Sequence, residues 1–153
     1  MCSLDDLDRA LLACLQQDNL QTADRLAEQV GRSPSAVARR VRRLRAEGAI
    51  AAEAAVLSDA AAGYPLSAVI HVQLESHVPH ESNRLRQRLI SDPQVQLCFD
   101  VAGAFDIVLL VVAANMELFN AFTLSVLERP VVRRFETSFV KKRHKATLAV
   151  PLV

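Results

Sequence analysis

Between Arg32 and Arg45 the chain carries six arginines and no acid, the densest run of groups able to act on a partner. A guanidinium is planar, permanently charged and forked. It grips a phosphate, or the O6/N7 edge of guanine, with two bonds. A solvated helix face usually mixes signs, with Glu four residues ahead of Lys or Arg. This stretch does not mix them, and its cation is always Arg. The chemistry it points to is anion recognition, with double-stranded DNA first.

The arginines need a rigid element behind them, and the residues around them write one. Ser33 can cap a helix through its hydroxyl, Pro34 suits the first helical position, and Gly48 supplies a left-handed stop. Val37, Val41 and Leu44 recur at i, i+4, i+7, so one stripe seeks a core. On this reading Ala36, Arg39, Arg40 and Arg43 lie opposite the stripe, with Arg42 and Arg45 on its flanks. Ser35, Ala36, Arg39 and Arg40 are the candidates for base edges. Arg32, Arg42 and Arg43 are the candidates for phosphates, and Ser33, at the helix start, is counted with them among the DNA-binding residues.

Two earlier helices complete the support. Leu4, Leu7, Leu11, Leu12 and Leu15 predict a helix over residues 3–17. Asp5, Asp6 and Asp8 crowd its first turn, where the helix dipole favours negative charge. Thr22 opens a second helix through Val30, and Gly31 ends it. Only three residues then separate it from the third, the spacing of a helix–turn–helix whose last helix enters the major groove.

The chain has 153 residues and half of them are hydrophobic, enough for two small cores. Net charge is only +1, so the positive charge is a local site and not general stickiness. Cys2, Cys14 and Cys98 form no CxxC pair and read as free thiols. There is no apolar leader, and the longest apolar run, 107–114, is too short for a bilayer. A soluble cytoplasmic protein is expected, with no cofactor and no metal. His77 and His80 lack Cys or acidic partners, so they are weak metal candidates.

Residues 49–57 read as an extended arm and 58–65 as a linker, marked by Gly63 and Pro65. Strands are expected at 66–74, 95–99, 106–113 and 130–140, helices at 79–90 and 115–127, and a small tail strand at 146–150. The basic run 141–145 reads as a solvated strand end. The fold class is therefore α+β. A three-helix DNA-binding domain with its arm occupies 1–60, and a ferredoxin-like βαββαβ domain occupies 61–153.

Four pieces in register resemble the Lrp/AsnC family of transcription regulators. They are Leu4-Asp5-Asp6-Leu7-Asp8 before Leu11-Leu12, Leu26-Ala27 with Val30-Gly31-Arg32-Ser33, Arg40-Val41-Arg42-Arg43-Leu44 with Glu47-Gly48-Ala49-Ile50, and Val101-Ala102-Gly103-Ala104-Phe105-Asp106. The resemblance implies a DNA-binding dimer that assembles to a tetramer or octamer. It also implies a small-molecule effector, commonly an amino acid, held between dimers. The effector site would comprise Gly103, Ala104, Phe105 and Asp106, with Thr137 on the facing region. Ala102 and Ala104 stand where the family commonly has Thr and a polar or acidic residue, which implies a less polar pocket or a different ligand. Asp106 could hold an ammonium, or it could satisfy the hairpin backbone. Two other readings compete: an enzyme resembling siroheme decarboxylases, and an effector-independent DNA-compacting oligomer.

Overall fold

The computed structural model describes residues 4–57, 59–75 and 79–152. Cys2, Ser3, Ser58 and His77 lie outside the described residues. The chain divides into two compact units. One runs to Val56 and takes back the tail from Lys145 onward; the other spans Leu57 to His144.

In the first unit, α1 (Asp6–Gln17), α2 (Ala23–Val30) and α3 (Pro34–Ala46) follow the expected order. Each start is capped by a side chain. Asp5 accepts from the Asp8 N–H, Thr22 from that of Arg25, and Ser33 from that of Ala36. Gly31 (φ 64°) and Gly48 (φ 74°) take the left-handed conformation just past α2 and α3, where a side chain would be strained. Leu11, Leu15, Leu26, Ala27, Val37 and Val41 form one core, flanked by Leu7, Cys14, Val30 and Ile50. Burying each large aliphatic side chain contributes about 1.5–3 kcal/mol.

The arm beyond Ile50 has no regular structure and is exposed, as expected. The tail departs from its expectation. Residues 146–150 form no strand, and they pack with the first unit instead of the second. The reason is local: the Gln16 side-chain amide clasps the Val150 backbone, donating to its carbonyl at 3.0 Å and accepting from its N–H at 2.7 Å.

The second unit opens with a short helix, α4 (Asp59–Ala62), inside the expected linker. It continues as β1 (Leu66–Leu74), α5 (Pro79–Ser91), β2 (Val95–Asp100), β3 (Ile107–Ala113), α6 (Met116–Phe122) and β4 (Val132–Phe139). The sheet is antiparallel with strand order β2-β3-β1-β4. This is the expected βαββαβ order. The helix expected over 115–127 changes at Phe122 into a π-helical turn, Thr123–Leu127. There the Thr123 and Ser125 hydroxyls donate to the carbonyls three residues back, at 2.9 and 3.1 Å, and loosen the α ladder.

One sheet face is covered. Ile70, Val72, Leu109 and Val111 pack with Leu85, Leu89, Phe119, Phe122 and Leu127 from the helices. Alternate residues point the other way. On that open face Val69, Val108, Leu110 and Val112 are half-buried, while Leu97 and Phe99 are exposed.

Candidate nucleic-acid interface and effector loop

Helix α3 positions its arginines by an angular step of about 100° per residue. Val37, Val41 and Leu44 are buried and set the inward direction. By that step Ser35, Arg39 and Arg42 point directly outward, and all three are exposed. Among the described residues the Arg39 side chain makes no hydrogen bond or ion pair. Arg42 bonds only to its own helix, Nε to the Ala38 carbonyl at 3.3 Å. Arg32 is exposed at the turn before α3, and Arg45 pairs with Glu53 at 2.8 Å.

Arg40 does not share that outer face, which corrects its sequence-based placement, and Arg43, exposed at the edge of the face, turns its guanidinium toward α1. By the same step Arg40 lies only about 60° from the apolar stripe, on the flank that meets α1. Its Nη1 donates to Asp5 and, at 3.0 Å, to Asp8. Arg43 Nη2 contacts both Asp8 oxygens at 2.8 and 2.7 Å, and its Nε lies 3.8 Å from Glu47. Asp8 is 1% exposed. It also completes a capping box, with its Oδ2 accepting from the Asp5 N–H at 3.2 Å. The Arg40 guanidinium, more than the Asp8 N–H, holds the Asp5 carboxyl below the usual carboxylate range. Ala36 is half-buried on this same flank. The Ser33 hydroxyl caps α3, accepting from the Ala36 N–H, and lies 3.4 Å from the Ser35 hydroxyl.

Sequence reasoning assigned the three aspartates to the helix end. Asp5 does cap it, but the reach of Asp5 and Asp8 across to α3 was missed. The signal was present: two adjacent helices carry opposite charge at their flanks, with acids at 5 and 8 and arginines at 40 and 43, both at i, i+3 spacing.

The β2–β3 loop is the other candidate. Its Asp106 Oδ2 accepts from the Leu74 N–H at 2.8 Å, at the irregularity that ends β1. The Asp106 N–H donates to the Val72 carbonyl at 2.9 Å, and its carbonyl accepts from the Val101 N–H at 2.9 Å. One residue thus ties the loop to β1 twice and closes the loop on itself once. Of the two roles open to Asp106, satisfying backbone is the one its geometry displays.

Phe105 packs on the open sheet face. Its ring lies 5.2 Å from that of His71, and the Arg134 guanidinium stacks over it at 5.2 Å. Gly103 and Ala104 are exposed. Gly103 is not left-handed, and a Cβ there would meet nothing within 4 Å, so the fold itself does not demand glycine. Thr137 pairs with Ile70 in the β1–β4 register and so takes the helix-covered side. Within one protomer, then, the sheet separates Thr137 from Phe105.

Among the described residues, no group of three or more His, Cys, Asp or Glu is assembled for a metal. No helix there is long and apolar enough to cross a membrane.

Comparison with known proteins agrees over both units. A model described as winged helix-turn-helix DNA-binding matches residues 4–51, and one described as Lrp/AsnC ligand binding domain matches 67–150. The chain is 36% identical over 150 residues to an uncharacterized HTH-type transcriptional regulator of Sinorhizobium fredii, covering 97% of this chain and 89% of that one. It is similar to the crystal structure of a transcriptional regulator from Neisseria meningitidis complexed with L-Met, with TM-score 0.89, 30% identity and 97% of each chain covered. A feast or famine regulatory protein from M. tuberculosis, complexed with L-methionine, gives TM-score 0.85 and 29% identity, covering 97% of this chain and 99% of that one. These relatives are regulators and not enzymes.

Proposed function

The chain belongs to the Lrp/AsnC family of transcriptional regulators, and on that premise we propose that it reads a specific DNA sequence with the outer face of α3. The observation that carries this is the exposed row Ser35, Arg39 and Arg42, with Arg39 unpartnered among the described residues. Ser35 and Arg39 are the base-reading pair, and Arg32 and Arg42 hold phosphates. Ala36 lines the edge of that face. A two-fold dimer would present two such helices to successive major grooves, with half-sites about one turn apart or a multiple of it.

The dimer forms through the open sheet face, where Leu97 and Phe99 are exposed beside Val69, Val108 and Leu110. An apolar sheet face of this kind is stable in water only when covered. Dimers then associate into tetramers or octamers. This brings Thr137 of one copy within reach of a neighbour's loop and resolves their separation within a protomer.

The effector is an amino acid with an apolar side chain, bound at the loop Gly103, Ala104, Phe105 and Asp106. Two similar regulators were solved with L-methionine, so methionine is the first to test. The open space at Gly103 favours close approach of a ligand to backbone N–H groups, which suit its carboxylate. Because Asp106 already bonds to Leu74, the ammonium would fall to backbone carbonyls or to a neighbouring subunit.

The DNA reading is tested by gel-shift titration of Arg39→Ala against a duplex selected by the wild-type protein from a random library. Loss of one guanine-reading side chain should weaken binding by about 1–3 kcal/mol. Unchanged affinity would reject the assigned face. For the effector, calorimetric titration of L-methionine and the other amino acids should give saturable heat for at least one of them. Absence of heat throughout would reject an amino-acid effector.

A further inference from the structure

We propose that Asp8 is a positioning residue for DNA recognition, a buried anchor through which Arg40 and Arg43 orient α3 instead of touching nucleic acid. The inference rests on α3 being the reading helix.

Asp8 receives Arg40 on Oδ1 and Arg43 on both oxygens, at 2.7–3.0 Å. It is 1% exposed, so solvent does little to screen this contact. A carboxylate so buried is strongly destabilising once its cationic partners are removed. The three side chains therefore shift together or not at all. Asp5 adds a second carboxylate to Arg40, and the capping box ties both acids to the start of α1.

The apolar stripe on α3 sets which face turns inward, but hydrophobic contact is non-directional and leaves small turns about the axis cheap. Directed hydrogen bonds hold the rotation more tightly. Arg40 and Arg43 lie about one turn apart along α3, so they supply two anchor points, one above the other. Two points resist both sliding along the helix axis and turning about it. Arg39 projects from the same turn, and its fork must meet two guanine atoms at hydrogen-bond distance. Turning α3 slightly would swing that fork off the base. The anchor thus acts on specificity, whereas a phosphate contact would act on every sequence alike.

The experiment uses the full chain with two duplexes, the selected one and one of scrambled sequence, each titrated by fluorescence anisotropy over a range of salt. Asp8→Asn keeps the shape and the cap acceptor but removes the charge. It should lose about tenfold in affinity for the selected duplex, with little change on the scrambled one and an unchanged salt slope. Arg43→Ala, which leaves Arg40 on Asp8 and so keeps the buried carboxylate partly answered, should show the same pattern and serves where Asp8→Asn does not fold. In the double variant the two losses should fail to add. Equal affinities of Asp8→Asn and wild type, with both folded, would show that the anchor only stabilises the fold and overturn the inference. Tighter binding by Asp8→Asn would also overturn it, because a freed Arg43 would then be holding a phosphate. So would a fall of about one in the salt slope for Arg43→Ala. Failure of the wild-type protein to select any duplex is a separate result and rejects the reading of α3 itself.

Discussion

The outer face of α3 and the β2–β3 loop differ in how far the fold itself uses their polar groups. On α3 the structure engages Arg40 and Arg43 internally and, among the described residues, leaves the Arg39 side chain unanswered. On the loop it engages Asp106, the one acidic side chain, and leaves Phe105 under Arg134 with small neutral residues beside it. A solvated cation with no partner in the fold is available to an external anion, and a satisfied carboxylate is not. On the proposed function, DNA binding would be carried by a side chain, whereas effector binding would rest on backbone and shape. The two regions should respond to mutation in opposite ways.

Asp106→Ala should break the comparison most visibly. It leaves the Leu74 N–H without its acceptor, and a lost hydrogen bond of this kind costs about 1–3 kcal/mol. Chemical denaturation should show that loss, while DNA affinity at saturating folded protein stays unchanged. Arg39→Ala should do the reverse, leaving the denaturation midpoint in place. If both variants unfold the protein equally, the contrast between the regions is wrong.

Arg134→Gln sharpens the loop side. It removes the cation over Phe105, a contact of about 0.5–1 kcal/mol at an exposed site. Thermal melting should fall slightly, and the affinity for whichever amino acid binds should change more than the melting point does. Equal response of the two would place Phe105 in the scaffold alone.

The smallest effect is on acid stability. Arg40 holds the Asp5 carboxyl below its usual range, so this group adds stability above about pH 4 and loses it as pH falls through the lowered value. Circular dichroism should show wild type losing stability below about pH 4 more steeply than Asp5→Asn. Because Asp5 is half exposed the difference is modest, and parallel acid curves would remove the contribution.

The elements were legible in the sequence because their signals are local. Ser33, Pro34 and Gly48 bound α3, and the alternation in β1 carries strand period and burial together; the uniformly apolar β3 reads as a strand buried on both faces, whereas only one of its faces is covered within the chain. What was not legible depends on neighbours. The sign of the Arg40 and Arg43 environment depends on α1, thirty-odd residues away in sequence, and a helical wheel drawn for α3 alone does not contain it. The same holds for Asp106, whose partner Leu74 lies on another strand. The π-helical turn after Phe122 also escaped, because hydroxyl back-bonding leaves the apolar period almost intact. The family resemblance recovered the order of elements but not the division of labour among the arginines.

Selection of binding sites from a random duplex library, run in parallel with wild type and Arg39→Ala, tests the outer face of α3 most directly. Wild type should return a two-fold-related motif, and Arg39→Ala the same motif with preference relaxed at one guanine in each half. An unaltered motif from Arg39→Ala would contradict the assignment of base reading to that face.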